Sequence, residues 1–299
     1  MSTLKMVLDG LMTRYKQRVP DVNRILDLMV SENILSNRDL IENDHIAFRT
    51  IGVKQLGIAS LEKIFLHYGY QKRDYYYFPE KKLDAWWYAP AHPADPRIFI
   101  SELRVDDLEQ PISALIRSYT DEVIHDPVNS LDLENASEVD AFLHSGLWRL
   151  PSWKDYQALS QASEYAAWTI YNRYYLNHFT ISVHNLKEGF NTIAAFNTML
   201  EKNGIILNDA SGKIKQSPDG GLLQSSTVAR MIEAQFADGE KHIIPGSYVE
   251  FAERRVLPQF QQLAPEKLTR EHRREGFEAA NADKIFESTF ASQTRRSKG

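Results

Sequence analysis

The sequence predicts an α+β protein in which two strand-helix-three-strand units pair into a curled mixed sheet around a cavity. Two stretches with the alternating pattern of strands, 43–50 and 177–184, each begin with a polar residue followed by histidine. Each leads into a segment of helical periodicity that ends at a glycine, Gly69 in the first unit and Gly204 in the second. Three strand patterns follow the first helix, and the second helix is followed by a short strand start and then three further strand patterns. The same order of elements therefore occurs twice along the chain.

The amino-terminal part of the chain, 1–44, is predicted to be helical. Residues 3–17 and 21–35 have the apolar spacing of two amphipathic helices. The first unit then spans 45–103 and consists of a strand from His45, a helix and three more strands. The helix and these three strands are predicted over 56–68, 70–78, 84–89 and 97–103.

Helical periodicity returns over 104–177 and predicts an insertion that covers one side of the sheet. The second unit spans 178–257, and 258–299 is predicted to be a polar helical tail. The helix and strands of the second unit are predicted over 186–203, 205–207, 223–230, 232–237 and 247–253. Asp238-Gly239 is a hairpin signal between the last two strands. We expect 45–103 and 178–253 to superpose, with 104–175 outside the repeat.

Composition restricts the class of protein. A chain of 299 residues can bury a large core, and its net charge of −5 provides no basic face for nucleic acid. No apolar run approaches the length of a membrane span and no signal-peptide pattern is present, so the expected location is cytoplasmic. The chain has no cysteine, so any metal site must use histidine and carboxylate ligands.

The first strand of each unit directs a histidine toward the predicted cavity. In an extended strand His45 and Arg49 share one face, and His178 alternates in the same way in the second unit. If the units pair, the two histidines face one point. A carboxylate beside them would complete the ligand set that leaves positions open on non-haem Fe(II). Glu250, in the middle of the last strand pattern, is the candidate.

Other interpretations of these acidic and histidine residues stay open at this point. Glu250 is alternatively an ion-pair partner of Arg254. Glu102 is interpreted as the residue at the matching place in the first unit and is the main rival ligand, whereas Glu253 lies on the other strand face. His184 lies roughly 20 Å along the second strand from the metal position and is not expected to reach the ion.

Polar residues elsewhere on the predicted cavity faces suit substrate binding. Arg49 lies roughly 13 Å along the strand from His45, which places an anion clamp at the other end of the pocket. Gln224 and Ser226, on an interior strand after a glycine-rich loop, either bind a substrate carboxylate or are buried polar residues.

Four segments carry a resemblance to a known family. The runs at 45–50, 177–180, 222–226 and 246–251 resemble the 2-oxoadipate dioxygenase/decarboxylase (hydroxyglutarate synthase) family. The resemblance implies a vicinal-oxygen-chelate-like (glyoxalase-like) fold around a metal cavity. It also implies Fe(II) as the cofactor, held by His45, His178 and Glu250. Arg49 is then the arginine that binds the substrate. The implied reaction is O2-dependent decarboxylation of 2-oxoadipate, a small 2-oxo dicarboxylic acid of lysine catabolism, to 2-hydroxyglutarate.

Three other functions fit the same residues. A glyoxalase-like isomerase or hydrolase would use Zn²⁺ or Ni²⁺ without oxygen, and an anaerobic assay separates it from an oxygenase. A related oxygenase would act on another 2-oxo acid. A non-catalytic binding protein would retain the paired fold, and failure to bind any divalent ion would favour it.

Overall fold

An eight-stranded mixed sheet lies at the centre of the computed structural model, which describes residues 2–298. The strands are β1 (Asn43–Gly52), β2 (Gln71–Phe78), β3 (Leu83–Ala89), β4 (Arg97–Arg104), β5 (His178–Ser182), β6 (Lys215–Gln216), β7 (Leu222–Ser226), β8 (Met231–Gln235), β9 (Lys241–Pro245) and β10 (Tyr248–Arg254). The helices are α1 (Thr3–Arg18), α2 (Pro20–Ser31), α3 (Ile58–His67), α4 (Gln110–Thr120), α5 (Ala136–Leu143), α6 (Trp153–Ala162), α7 (Glu164–Asn172), α8 (Ile193–Lys202), α9 (Ala279–Phe286) and α10 (Ala291–Thr294). The predicted α+β class is confirmed.

The two halves of the sheet have the same strand order when read outward from the centre. The first half runs β1, β4, β3, β2 and the second runs β5, β10, β7, β6. In each half the innermost pair is parallel and the outer pairs are antiparallel, while β1 and β5 pair antiparallel across the centre. We interpret the halves as one unit used twice, and their superposition stays a prediction.

The hairpin at Asp238-Gly239 differs from the sequence prediction in its second strand. The turn joins β8 to β9, which form a separate two-stranded sheet, whereas the strand pattern at 247–253 belongs to β10 in the main sheet. All seven residues of β10 are buried, as a central strand requires, whereas most residues of β8 and β9 are half-buried or exposed. The strand expected at 205–207 is also wrong, because β6 lies at Lys215–Gln216 and Leu207 forms only an isolated bridge.

The helical insertion lies between β4 and β5 and comprises α4 to α7. Helix α7 is buried at seven of its nine positions, including Tyr165 and Trp168, and it packs against β1. A helix that is buried on most sides belongs to the core, so the insertion forms part of the wall behind β1. Among the described residues, no helix is both long and apolar enough to span a membrane.

The carboxyl-terminal segment closes the sheet and is not a peripheral polar tail. Helix α9 contacts both β2 and β6, which are the two ends of the strand order. Eight strands laid flat would be about 34 Å wide, whereas a helix of this length spans only about 12 Å. The sheet therefore curls, and α9 bridges its two edges across the cavity. The polar pattern of 258–299 did not indicate that the side chains of Phe277, Ile285 and Phe286 are buried.

Candidate metal centre

Three neighbouring central strands bring together the side chains of His45, His178 and Glu250. The two histidine Nε2 atoms are 3.3 Å apart. Glu250 Oε1 lies 3.4 Å from His45 Nε2, and Glu250 Oε2 lies 3.1 Å from His178 Nε2. All three residues are buried. They meet because β1 pairs with β5 and β5 pairs with β10, so that one inward position of each strand faces the cavity.

These separations fit a divalent ion. Two ligands at right angles, each about 2.1 Å from an ion, are about 3 Å apart. The three donors come from one side, and two imidazole nitrogens with one carboxylate form the ligand set of non-haem Fe(II) oxygenases. Among the described residues, this is the only group of three or more histidine or acidic side chains with donor atoms close enough for one ion. The triad could therefore hold a metal.

The residue before each histidine fixes the orientation of the imidazole ring. Asp44 Oδ1 lies 2.8 Å from His45 Nδ1, and Asn177 Oδ1 lies 3.1 Å from His178 Nδ1. A hydrogen bond donated by Nδ1 leaves the Nε2 lone pair directed at the ion. The sequence contained this signal, because a polar residue precedes the histidine in both units, but neither residue was predicted to have a role.

Asp44 belongs to a buried ion network. Its carboxylate accepts two hydrogen bonds from Arg254, at 2.7 and 2.9 Å, and one from Arg97 at 3.2 Å. Burial alone would raise the pKa of Asp44, but Arg254 and Arg97 outweigh burial and hold that pKa well below its usual value. The carboxylate of Asp44, which supports His45, is therefore ionised at neutral pH.

Opposing effects set the charges of the three ligands. Burial lowers the pKa of His178 to about 3, so this imidazole is neutral and can bind a cation. Burial also disfavours charge on the other two, but attraction between Glu250 and the histidines reverses the direction. The pKa of Glu250 lies below its usual value and that of His45 lies above. Protons compete with a metal ion for the His45 nitrogen and the Glu250 carboxylate, so metal binding is expected to weaken at low pH.

Sheet register explains why Glu250 has no acidic counterpart in the first half. His45 pairs with Arg97 across β1 and β4, as His178 pairs with Tyr248 across β5 and β10. Glu250 follows Tyr248 by two residues, and the residue two positions after Arg97 is phenylalanine. The repeated fold therefore supplies two histidines but only one carboxylate.

Glu102 and Glu253 occupy equivalent positions in the two halves of the sheet, and each accepts a hydrogen bond from the start of a helix. Each follows its register position by five residues. Glu102 accepts a hydrogen bond from Ile58 N at 2.7 Å, at the start of α3. Glu253 accepts one from Ile193 N at 2.8 Å, at the start of α8. The structure thus places Glu102 away from the two histidines, and its matching residue is Glu253.

Glu102→Gln is therefore expected to change stability without changing metal content. Loss of the negative charge at the amino terminus of α3 should lower the free energy of unfolding by about 1–2 kcal/mol. Urea unfolding and metal analysis of the purified variant check this expectation. Loss of bound metal in Glu102→Gln would return Glu102 to the ligand set.

The cavity beside the triad is small and has aromatic walls. Its volume is about 20 Å³, room for about one water molecule. Phe99 lines one side, and Phe277, Ile285 and Phe286 of the carboxyl-terminal segment line another. The Phe277 ring centroid is 4.7 Å from that of His45. No signal in the sequence placed this segment at the site.

Arg49 is buried and bound to the carboxyl-terminal segment. Its Nη1 donates to Thr289 Oγ1 and its Nη2 donates to the carbonyl oxygen of Phe286, both at 3.0 Å. In the part of the chain that the structure describes, no carboxylate lies in ion-pair contact with Arg49, and its Nε atom has no partner. Burial lowers the pKa of Arg49. Arg49 does not itself line the cavity, but a buried guanidinium without a counter-ion suits an anion.

The other predicted substrate-binding residues have protein partners. Gln224 Nε2 donates to Glu250 Oε1 at 2.6 Å, and Gln224 Oε1 accepts from Asn281 Nδ2 at 3.0 Å. The Ser226 hydroxyl lies 2.8 Å from the Ser288 hydroxyl. Gln224 thus orients the Glu250 carboxylate, and substrate binding by Gln224 or Ser226 stays a prediction.

His184 lies outside the triad, as expected. Its Nδ1 accepts a hydrogen bond from Arg254 N at 3.2 Å, which ties the turn after β5 to the end of β10.

Fold and site together define an α+β protein with a curled mixed sheet around a buried group of two histidines and one glutamate that could hold a metal ion. The family model described as 2-oxoadipate dioxygenase/decarboxylase matches residues 7–268. The chain belongs to this family.

Relatives and solved structures agree with this assignment. The chain is 44% identical over 309 residues to the chloroplastic 2-oxoadipate dioxygenase/decarboxylase of Arabidopsis thaliana, covering 100% of this chain and 80% of the relative. The crystal structure of the Oryza sativa hydroxyglutarate synthase with 2-oxoadipate has a TM-score of 0.89 and 42% identity, and the match covers 98% of this chain and 94% of that one. A Ralstonia eutropha structure assigned to the glyoxalase superfamily has a TM-score of 0.68 and 19% identity over 93% of this chain and 88% of that one, a likeness of fold alone.

Proposed function

We propose that this chain is an Fe(II)-dependent dioxygenase/decarboxylase that converts 2-oxoadipate and O2 to 2-hydroxyglutarate and CO2. The buried triad of His45, His178 and Glu250 is the observation that carries the proposal. Family membership and the likeness to the rice enzyme bound to 2-oxoadipate support the substrate. The reaction balances, because the six-carbon acid and O2 together contain the atoms of the five-carbon hydroxy acid and CO2.

The metal and the protein have separate tasks in this proposal. Fe(II), when bound, would supply the redox and Lewis-acid chemistry with O2. Asp44 and Asn177 hold the histidine rings, and Gln224 holds the Glu250 carboxylate. The aromatic side chains of the carboxyl-terminal segment restrict the space in front of the three ligands to about one water molecule.

Admission of a six-carbon acid requires the carboxyl-terminal segment to move. The cavity of about 20 Å³ holds no more than about one water molecule. The segment that closes it also supplies both hydrogen-bond partners of Arg49, namely Phe286 O and Thr289 Oγ1. A shift of this segment would therefore enlarge the cavity and release Arg49 to bind a substrate carboxylate in the same step.

Arg49→Lys tests this assignment. An ammonium group cannot reproduce the planar two-bond contact of a guanidinium with a carboxylate. We expect iron content near that of the wild type and a loss of about 2–4 kcal/mol in apparent kcat/KM on 2-oxoadipate. The loss should be much smaller on 2-oxohexanoate, which lacks the second carboxylate. Oxygen uptake by both proteins on both substrates provides the measurement.

Equal proportional losses on the two substrates would remove Arg49 from the substrate site. A drop in the free energy of unfolding together with equal losses would assign Arg49 a purely structural role, through its contacts with Thr289 and Phe286.

Metal dependence tests the proposed cofactor. Protein purified anaerobically without metal and then supplied with Fe(II), Zn²⁺ or Ni²⁺ should turn over 2-oxoadipate only with Fe(II). Turnover with Zn²⁺ or Ni²⁺ would replace the oxygenase by a glyoxalase-like isomerase or hydrolase.

The cellular setting of the reaction remains a prediction from the sequence. A role in lysine catabolism follows from the family resemblance. The cytoplasmic location was expected from the sequence, whereas the Arabidopsis relative is described as chloroplastic.

A further inference from the structure

Tyr248 carries a buried hydroxyl group for which the described protein provides no hydrogen-bond partner. Tyr248 lies two residues before Glu250 on β10, so the two side chains share the strand face that lines the cavity. Its ring lies against the His178 ring, with centroids 4.9 Å apart. A buried hydroxyl without a partner is costly, so this group is expected where a ligand supplies the missing partner.

The Arg49 guanidinium lies close enough to this hydroxyl to interact with it directly, and an N–H of Arg49 directed at the hydroxyl oxygen would still leave the Tyr248 O–H free to donate. The Nε atom of Arg49 is likewise an unused donor among the described residues. A tyrosine phenol carries its proton at neutral pH and can therefore donate a hydrogen bond. Two neighbouring buried groups thus each have an N–H or O–H to donate. A water molecule could accept from both, but it would leave the buried guanidinium charge uncompensated. A carboxylate satisfies both donors and compensates the charge.

We propose that Tyr248 and Arg49 form a two-residue clamp for one carboxylate, the far carboxylate of a dicarboxylic 2-oxo acid. This inference rests on the proposed function and adds a specificity-determining residue to it. The Tyr248 O–H donates to one carboxylate oxygen, and the Arg49 guanidinium donates to the same carboxylate. Tyr248 thereby sets the preference for dicarboxylic over monocarboxylic 2-oxo acids.

The repeat provides the clamp on one side of the cavity only. The register counterpart of Tyr248 in the first half is Arg97. Arg97 already forms ion pairs with Asp44 and Glu275, so its guanidinium is not available to a substrate carboxylate as that of Arg49 is. The metal ligands and the clamp therefore define one direction for a bound dicarboxylate.

Tyr248→Phe removes the hydroxyl and keeps the ring that packs on His178. We expect the dissociation constant and KM for 2-oxoadipate to rise about 10- to 100-fold, the range for a hydrogen bond to a charged group. The same constants for 2-oxohexanoate should stay within about 2-fold of wild type, and metal content should not change. Calorimetry on the anaerobic Fe(II)-loaded protein gives the dissociation constants, and oxygen uptake gives KM and kcat.

Tyr174→Phe is the matched control. Tyr174 is another buried tyrosine whose hydroxyl has no hydrogen-bond partner, but its ring packs against Phe142, with centroids 5.8 Å apart. This variant should bind both acids as the wild type does. The double variant Arg49→Lys/Tyr248→Phe should lose less affinity than the product of the single losses, because both residues hold one carboxylate.

Each outcome bears on the clamp. Unchanged constants for Tyr248→Phe, equal losses on the two acids, or independent losses in the double variant would overturn it. Binding of 2-oxoadipate without turnover would refute the proposed function, while the affinity difference between the acids would still decide the clamp. Failure of the wild type to bind 2-oxoadipate at all would overturn both.

Discussion

Glu250→Gln is expected to abolish stoichiometric metal binding and turnover while the chain remains folded. The amide keeps the size of the side chain but removes the only negative charge among the three ligands. Loss of a direct ligand should weaken metal affinity by at least about 100-fold, since even supporting residues contribute 10- to 100-fold. Metal analysis after anaerobic purification, together with titration of Fe(II) into the metal-free protein, measures the loss.

Glu253→Gln is the matched control for this experiment. Glu253 lies on the same strand, is also buried, and binds the start of α8 through Ile193 N. The control should retain its metal with a modest loss of stability. Normal metal content in Glu250→Gln would exclude the triad as the metal centre.

Asp44→Asn is expected to reduce both stability and metal affinity. The substitution leaves Arg254 and Arg97 buried beside a neutral amide, and removal of one partner from a buried ion network costs about 3–5 kcal/mol. It also weakens the support of His45 Nδ1, which should lower metal affinity by about 10- to 100-fold. Urea unfolding of the metal-free protein and Fe(II) titration separate the two effects.

The pH dependence has a definite sign. The folded pKa of Asp44 lies well below its unfolded value of about 3.9. Its stabilising contribution is therefore fully present above that unfolded value and is lost as the pH falls through the lower folded value. Asp44→Asn should accordingly reduce the part of the acid unfolding curve that the wild type shows below about pH 4.

Asn177→Ala separates orientation of a histidine from the ion network. Asn177 contacts His178 Nδ1 as Asp44 contacts His45, but it forms no ion pair in the described structure. For Asn177→Ala we expect weaker metal binding with a much smaller loss of stability than for Asp44→Asn.

A free energy of unfolding for Asp44→Asn within about 1 kcal/mol of wild type would contradict the role of the ion network around Asp44.

Local patterns in the sequence predicted the part of the site that depends on strand geometry. Alternation placed His45 and His178 on inward faces, and the repeated polar-histidine start indicated that the two faces meet. Glu250 followed because a carboxylate in the middle of a central strand needs a partner. These inferences needed only the period of a strand and the repetition of one unit.

Features that depend on distant contacts could not be read in the same way. The roles of Glu102 and Glu253 depend on which helix start lies beside each strand. That placement is set by tertiary packing and not by the local sequence pattern. The turn at Asp238-Gly239 was predicted correctly, but the strand that follows it is β9 and not the pattern at 247–253. Most residues of β8 and β9 are half-buried or exposed, and such a pattern does not distinguish a separate hairpin from the edge of the main sheet. The position of the carboxyl-terminal segment at the site was not predicted, because the apolar side chains of Phe277, Ile285 and Phe286 are scattered through a polar stretch.

The stoichiometry of the reaction tests the proposed function most directly. Fe(II)-loaded protein, purified without oxygen, is supplied with 2-oxoadipate and a known amount of O2 while dissolved O2, CO2 and 2-hydroxyglutarate are measured together. The proposal predicts one CO2 and one 2-hydroxyglutarate for each O2 consumed, with no product in the absence of O2. Conversion of 2-oxoadipate without O2, or oxygen uptake that yields no 2-hydroxyglutarate, would contradict it.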